Sequence, residues 1–247
     1  VTAGGGLAGR VALVTAAGDD IGRAVAFALA AAGASVAVHA AEGATADAVA
    51  GEIRALGGEA AAAHGNLASF EGCADIVGEA ADRLGPVDVL VHDAGIRPHH
   101  SVVDLPVEEW HHVFDVNCSS FFYLAKLLLP AMTDRGHGRL IALCTALGDR
   151  ALPEHATVAV ARVALHELVK VVAVESGTAG VTANVVSHAF VETSPPEMLT
   201  PARLQRYLPI PRPAAHDEII AACAYLASDE AAYVTGQAIH VDGGYTL

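Results

Sequence analysis

Lysine is almost missing from this chain. Only Lys126 and Lys170 occur among 14 lysines and arginines, so the cations are nearly all arginine. Asp and Glu number 28 against those 14, which leaves a formal charge of -14. Nucleic acid and anionic membrane surfaces need clustered cations, so neither is expected as a partner. Aromatic residues are scarce, with only five tyrosines, and a core must therefore be built mainly from Ala, Val and Leu. Cysteine is scarce too. Cys73, Cys118, Cys144 and Cys223 lie far apart, without a CxxC or a Cys/His zinc spacing, so they read as buried free thiols and no metal site is expected. No unbroken apolar run is long enough to span a membrane. No charged-then-apolar leader precedes the first strand-like run, and the expected setting is reducing and cytoplasmic.

What the chain does have is apolar mass and alternation. Over 247 residues, 53% are apolar, which is enough for one large α/β domain and rules out intrinsic disorder. Short β-branched runs alternate with Ala-rich stretches from end to end. The runs predict strands over 11–15, 35–39, 60–66, 87–92, 139–144, 182–187 and 238–241. The stretches between predict helices over 21–32, 45–56, 69–84, 106–133, 155–176 and 216–227. Such alternation implies a Rossmann-like, doubly wound parallel sheet with helices on both faces. A flexible leader is expected over 1–8 and a single domain over 9–247. The Pro-rich stretch within 190–213 breaks the pattern and reads as a lid-like excursion. Ligands of such sheets bind beyond the carboxyl ends of the strands, here after Thr15, His92, Cys144 and Ser187.

The order of elements resembles the short-chain dehydrogenase/reductase family, and its ketoacyl-carrier-protein reductase branch in particular. The resemblance runs from Gly9 to Leu247 and is clearest in GRVALVT, VDVLVHDAGI and the tail YVTGQAIHVDGGY. It implies an NAD(P)-dependent carbonyl reduction. The family's phosphate loop, TGxxxGxG, lets the backbone approach a pyrophosphate at a helix N-terminus. Here Thr15 and Gly22 match, but Ala16 and Asp20 stand where glycines are expected. Asp20 brings a negative charge toward the expected phosphates, a repulsion of roughly 1 kcal/mol in water and about 4 at intermediate dielectric. Asp19 and Asp20 also suit a plain helix N-cap pair. Asn66 takes the place of the adenine-side Asp, and the NNAG motif becomes His92-Asp93-Ala94-Gly95. The second strand ends in His39-Ala40-Ala41, which offers no acid to a ribose and no Arg to a 2′-phosphate. The residual cofactor positions are thus Thr15, Gly22, Asn66, Ala94 and Gly95, and no cofactor is expected.

The family's four catalytic groups are Asn, Ser, Tyr and Lys. Asn117 fits the first and Thr145 keeps a hydroxyl at the second. The tyrosine position holds Val158 and the lysine position Arg162, with no YxxxK elsewhere. Valine has no proton to give, and general acid catalysis is typically worth 10²–10⁴-fold. Arg162 keeps a cation without lysine's compact ammonium. Halohydrin dehalogenases share this fold, dispense with the cofactor and use Ser, Tyr and Arg. Thr145 and Arg162 resemble two of those three, and Val158 removes the third.

The candidate site is therefore Asn117, Thr145, Arg162 and His188, with His92, Asp93 and His155 placed near them. His92 and Asp93 either pair as acid and base or only keep the hydrogen bonds of the two missing asparagines. Arg162 either clamps an anion or packs. The histidine pairs at 99–100 and 111–112 read as solvated. The resemblance further implies a dimer or tetramer, because the helices over 106–133 and 155–176 and the tail normally meet their copies. The leading expectation is a non-catalytic subunit of a mixed oligomer, partnered by an active relative. The alternative is a cofactor-independent lyase, dehydratase, isomerase or cyclase acting on a small carbonyl or polyketide-like ligand. An unusual NAD(P)-dependent oxidoreductase is the third.

Overall fold

In a computed structural model the protein is described over residues 6–146 and 152–247. Residues 1–5 of the expected leader lie outside the described residues. The apolar runs form seven strands, β1 (Val11–Thr15), β2 (Ser35–Val38), β3 (Ala60–Ala62), β4 (Val89–His92), β5 (Gly138–Thr145), β6 (Val181–His188) and β7 (Ala238–Val241). They pair in parallel in the order β3-β2-β1-β4-β5-β6-β7. Such strands must be apolar on both faces, and β1, β4, β5 and β6 are buried along their whole length.

Helices cover both faces. One layer is α1 (Asp20–Ala31), α2 (Gly43–Ala55) and α8 (His216–Ala227), packed through Val25, Leu29, Val49, Ile53, Ile219 and Leu226. The other is α3 (Phe70–Leu84), α5 (Ser120–Arg135) and α6 (Ala156–Ser176), packed through Ile76, Phe121, Leu124, Leu128, Leu165 and Val169. The short α4 (Val107–Phe114) precedes α5, and α7 (Pro201–Tyr207) lies in the excursion. The sheet reverses winding between β1 and β4, so the loops after those strands part and open a crevice. The Rossmann-like, doubly wound fold expected from the alternation is the fold observed.

Two expectations need correction and one is refined. The helix expected over 106–133 is helical without a break over 107–135, with a π-type turn inside it at Asp115–Ser119 that carries Asn117 and divides α4 from α5. Such a turn inserts an extra residue and re-aims a side chain. The strand expected over 60–66 stops at Ala62, because Asn66 turns the chain by accepting from the Ala68 amide at 3.0 Å. Asp19 and Asp20 are not an N-cap pair. Asp19 holds the N-cap position without a side-chain cap bond, and the Asp20 carboxylate reaches away to the excursion. Among the described residues no helix is long and apolar enough to cross a membrane.

Candidate active site

The loop after β1 keeps the shape of a glycine loop without its glycines. Ala16 sits at φ 52 and Asp20 at φ 48, the left-handed region in which a Cβ is costly. Gly22 is a true requirement, since a Cβ there would stand 2.5 Å from the Ala16 carbonyl oxygen. The Asp20 carboxylate accepts from Thr193 Oγ1 at 2.6 Å and lies 2.8 Å from His216 Nε2. His216 in turn faces Glu192, Nδ1 to Oε1 3.6 Å. At the end of β2, the buried His39 ring accepts from the Ala16 amide at 3.4 Å and donates to the Gly65 carbonyl at 3.1 Å. Burial lowers its pKa from the ordinary value.

His92, at the end of β4, settles one open question. Ser120 Oγ donates to the Val116 carbonyl at 2.7 Å, so His92 Nε2 donates to Ser120 Oγ at 2.9 Å. The other ring nitrogen accepts from Thr15 Oγ1 at 2.9 Å, and Thr15 Oγ1 accepts from the Asp93 amide at 3.2 Å. Every polar atom of this chain of bonds is used, and burial pushes the His92 pKa down to about 3. His92 and Thr15 are structural. Asp93 is different: burial pushes its carboxyl up to about 7 against the pull of Arg97 and Arg162.

Asn117 pins the strand-end loop rather than facing the cleft. Its Oδ1 accepts from the Ile96 amide at 2.8 Å and its Nδ2 donates to the Ile96 carbonyl at 2.9 Å. Ala94 is buried beside this pair of bonds. Val158 is fully buried, and Arg162 is 1% exposed. The Arg162 guanidinium is packed so closely on Gly95 that a Cβ there would strike Nη2. Arg162 Nε and Nη1 have no hydrogen-bond partner among the described residues. A buried cation is expensive to leave uncompensated, and the nearby Asp93 carboxyl, whose pKa Arg162 pulls down, offsets part of that cost. It does not line the cavity described next.

Of the expected site residues, Thr145, His155 and His188 do meet at one cavity, of about 660 Å³. Thr145 and His188 are register partners on β5 and β6, so their side chains emerge side by side, about 5 Å apart. Thr145 Oγ1 is buried with no partner among the described residues. His188 Nδ1 donates to the Ala189 carbonyl at 3.2 Å, which leaves Nε2 as an acceptor. Burial, reinforced by Arg97, pushes the His188 pKa down to about 4, so the ring is neutral at pH 7. The rest of the lining was not anticipated. Arg97 follows β4, Arg203, Tyr207 and Met198 come from the excursion, and Tyr245 comes from the tail. Phe190, Tyr207 and Tyr245 form a ring cluster with centroids 5.7–6.5 Å apart. Arg97 was within reach of sequence reasoning, because it stands two residues past the degenerate Ala94-Gly95. His99 also lines the cavity, edge-on to His155 at 4.5 Å.

A parallel sheet of this order, with a glycine-type loop after β1 and a cleft at the strand ends, defines a nucleotide-fold oxidoreductase scaffold. Known proteins agree. A family model described as enoyl-(acyl carrier protein) reductase matches residues 16–246. The 3-oxoacyl-[acyl-carrier-protein] reductase of Synechocystis is 35% identical, covering 98% of each chain. That of Escherichia coli is 36% identical, covering 96% of this chain and 97% of its own. A gluconate 5-dehydrogenase from Burkholderia cenocepacia, solved with NADP and tartrate, superposes with a TM-score of 0.91 at 31% identity, over 97% of this chain and 96% of its own. The chain belongs to the short-chain dehydrogenase/reductase family and is ketoacyl-carrier-protein reductase-like.

The residues present suit a bound NAD(P) badly. The first-loop amide of Ala16 is capped by His39, a carboxylate stands on the first turn of α1, and Arg162 fills the space under Gly95.

Proposed function

We propose that this family member has lost ordinary NAD(P)-dependent carbonyl reduction and serves as a non-catalytic subunit of a mixed oligomer. Its partner would be an active relative of the 3-oxoacyl-carrier-protein reductase type. The observation that carries the reading is the pair at 158 and 162: a fully buried valine in the proton donor's place, and a guanidinium locked against Gly95. The apolar outer face of α6 supports assembly. Val160, Val163, Val171 and Val174 are 46–83% exposed there at helical spacing, and Phe122 is exposed on α5. The four cysteines are buried and none is joined in a disulfide among the described residues, which suits a reducing, cytoplasmic setting. We take 9–247 as one domain, with 190–213 as a lid over the cavity.

A second reading is a cofactor-independent enzyme. It is favoured by the open cavity, where the Thr145 hydroxyl, without a partner among the described residues, and the Nε2 lone pair of neutral His188 come from neighbouring strands. Titration of NADH and NADPH by calorimetry tests the shared premise. Neither is expected to bind tighter than about 100 μM, roughly -5.5 kcal/mol, and tighter binding overturns it. Pull-down from the native cell tests the leading reading: an intact YxxxK relative should co-purify, and a lone homo-oligomer with turnover of a carbonyl compound would replace it with the second.

A further inference from the structure

Two guanidiniums face the cavity, Arg97 and Arg203, and the carboxylates of Asp93 and Asp20 act on Arg97 only through space. Neither Arg97 nor Arg203 makes a hydrogen bond or a salt bridge among the described residues; Arg203 only overlies the Tyr207 ring at 5.7 Å. Two carboxylates also line the space, Asp20 and Glu197. Asp20 is already engaged by Thr193 and His216. The chain as a whole carries -14, and a site for an anion must therefore rest on local cations such as these. The lining is also apolar and aromatic, with Phe190, Tyr207, Tyr245 and Met198, and Arg203 overlies the Tyr207 ring. The lining also holds a hydroxyl without a partner among the described residues, Thr145 Oγ1, and a bare acceptor, His188 Nε2, on neighbouring strands. A volume of about 660 Å³ is that of a two- or three-ring compound's site.

We propose that this cavity binds a hydroxylated aromatic carboxylate. The carboxylate meets Arg97 and Arg203, and the ring lies against Phe190, Tyr207 and Tyr245. A ring hydroxyl donates to His188 Nε2, and Thr145 Oγ1 donates to a ligand oxygen. The ring cluster supplies edge and face contacts of the kind aromatic pairs prefer. The guanidiniums supply charge-assisted bonds, which a neutral analogue cannot take in full. The proposal does not depend on whether the nicotinamide cofactor is lost.

The probe is 6-hydroxy-2-naphthoate, whose hydroxyl is remote from its carboxylate, titrated calorimetrically into the intact chain beside its neutral isostere 6-hydroxy-2-naphthamide. The acid is expected to bind about tenfold more tightly, a preference that shrinks as salt is raised. In the Arg97→Gln/Arg203→Gln variant the preference should fall to about threefold or less, with affinity for the amide unchanged. Arg206→Gln, on the same helix but outside the lining, should leave the preference intact. Thr145→Val should weaken acid and amide alike. Equal binding of acid and amide, no saturation by the acid at about 1 mM, or a preference that survives in the double variant overturns the proposal. If the double variant does not fold, the salt dependence of the wild-type preference decides. NADPH titrated under the same conditions separates the two ideas: its binding overturns the loss of cofactor and leaves the carboxylate preference untouched.

Discussion

At residue 158 a side chain that cannot donate a proton is buried, and at residue 162 a guanidinium with two unpartnered nitrogens is packed on a glycine. Restoring chemistry there does not restore the cofactor's place. We expect Val158→Tyr with Arg162→Lys to show no NADPH-dependent ketone reduction, because Ala16 and Asp20 still shape the first loop. Measurable NADPH oxidation by that variant would show the loop to be permissive. The loop itself yields a second prediction. Ala16 holds φ 52 at a cost of roughly 1–2 kcal/mol, and glycine there gives back part of that in unfolded-state entropy. Ala16→Gly should therefore stabilise the chain by about 0.5–1 kcal/mol, a rise of roughly 1–4 °C in Tm by calorimetry. The identities at 16, 20, 158 and 162 were legible because family spacing fixes them in the sequence. The role of Asn117 was not, since both of its amide atoms are spent on Ile96, a partner that spacing does not reveal.

Among the elements, the excursion between β6 and α8 depends most on a distant contact. Asp20 begins α1, yet its carboxylate joins Thr193 in the excursion and His216 at the start of α8. The acid therefore bonds across 173 positions of sequence. It is part-exposed, so the contact is worth only roughly 1 kcal/mol. That is enough to bias a segment of short helices with few buried side chains. Asp20→Ala should speed amide hydrogen exchange over 190–213 by about fivefold and leave α3, α5 and α6 unchanged. Uniform acceleration would mean that the contact supports the whole fold; no change would mean that the excursion holds itself. Strand and helix identity was legible from alternation, and β7 falls where its β-branched run predicts. The π-type turn between α4 and α5 was not legible. Sequence 106–133 is continuously helix-like, and the π-type turn answers to Asn117's tertiary bonds rather than to propensity.

For the whole molecule, the parallel order and its cleft at the strand ends were legible from the alternation alone. The charge state of that cleft was not, because it is set by burial. His92 and His188, with folded pKa values of about 3 and about 4, stay neutral where the unfolded chain, near 6.5, takes up protons. Each lowered pKa stabilises the fold fully above about pH 6.5. That contribution is lost as pH falls toward the folded value, at about 1 kcal/mol per unit per histidine. Asp93 opposes them. Its folded pKa of about 7 lies above the ordinary 3.8, so its stabilising contribution is complete below about 3.8 and lost as pH rises through 7. Between about pH 4 and 6.5 these two histidines bind protons on unfolding, as do His39 and His137, whose pKa values burial also lowers, while Asp93 and His64, the latter raised by its hydrogen bond to Glu79, act in the opposite sense. The net slope keeps the sign of the lowered histidines, and Tm should fall steadily on acidification from pH 6.5 to 4.5. His188→Gln removes one of them and should flatten the decline by about 1 kcal/mol per pH unit, measured by calorimetry at matched ionic strength. Asp93→Asn removes an opposing group and should steepen it by a similar amount. A variant at 188 that tracks the wild type at every pH would mean that the fold does not lower the His188 pKa, and that the ring is not held neutral by burial.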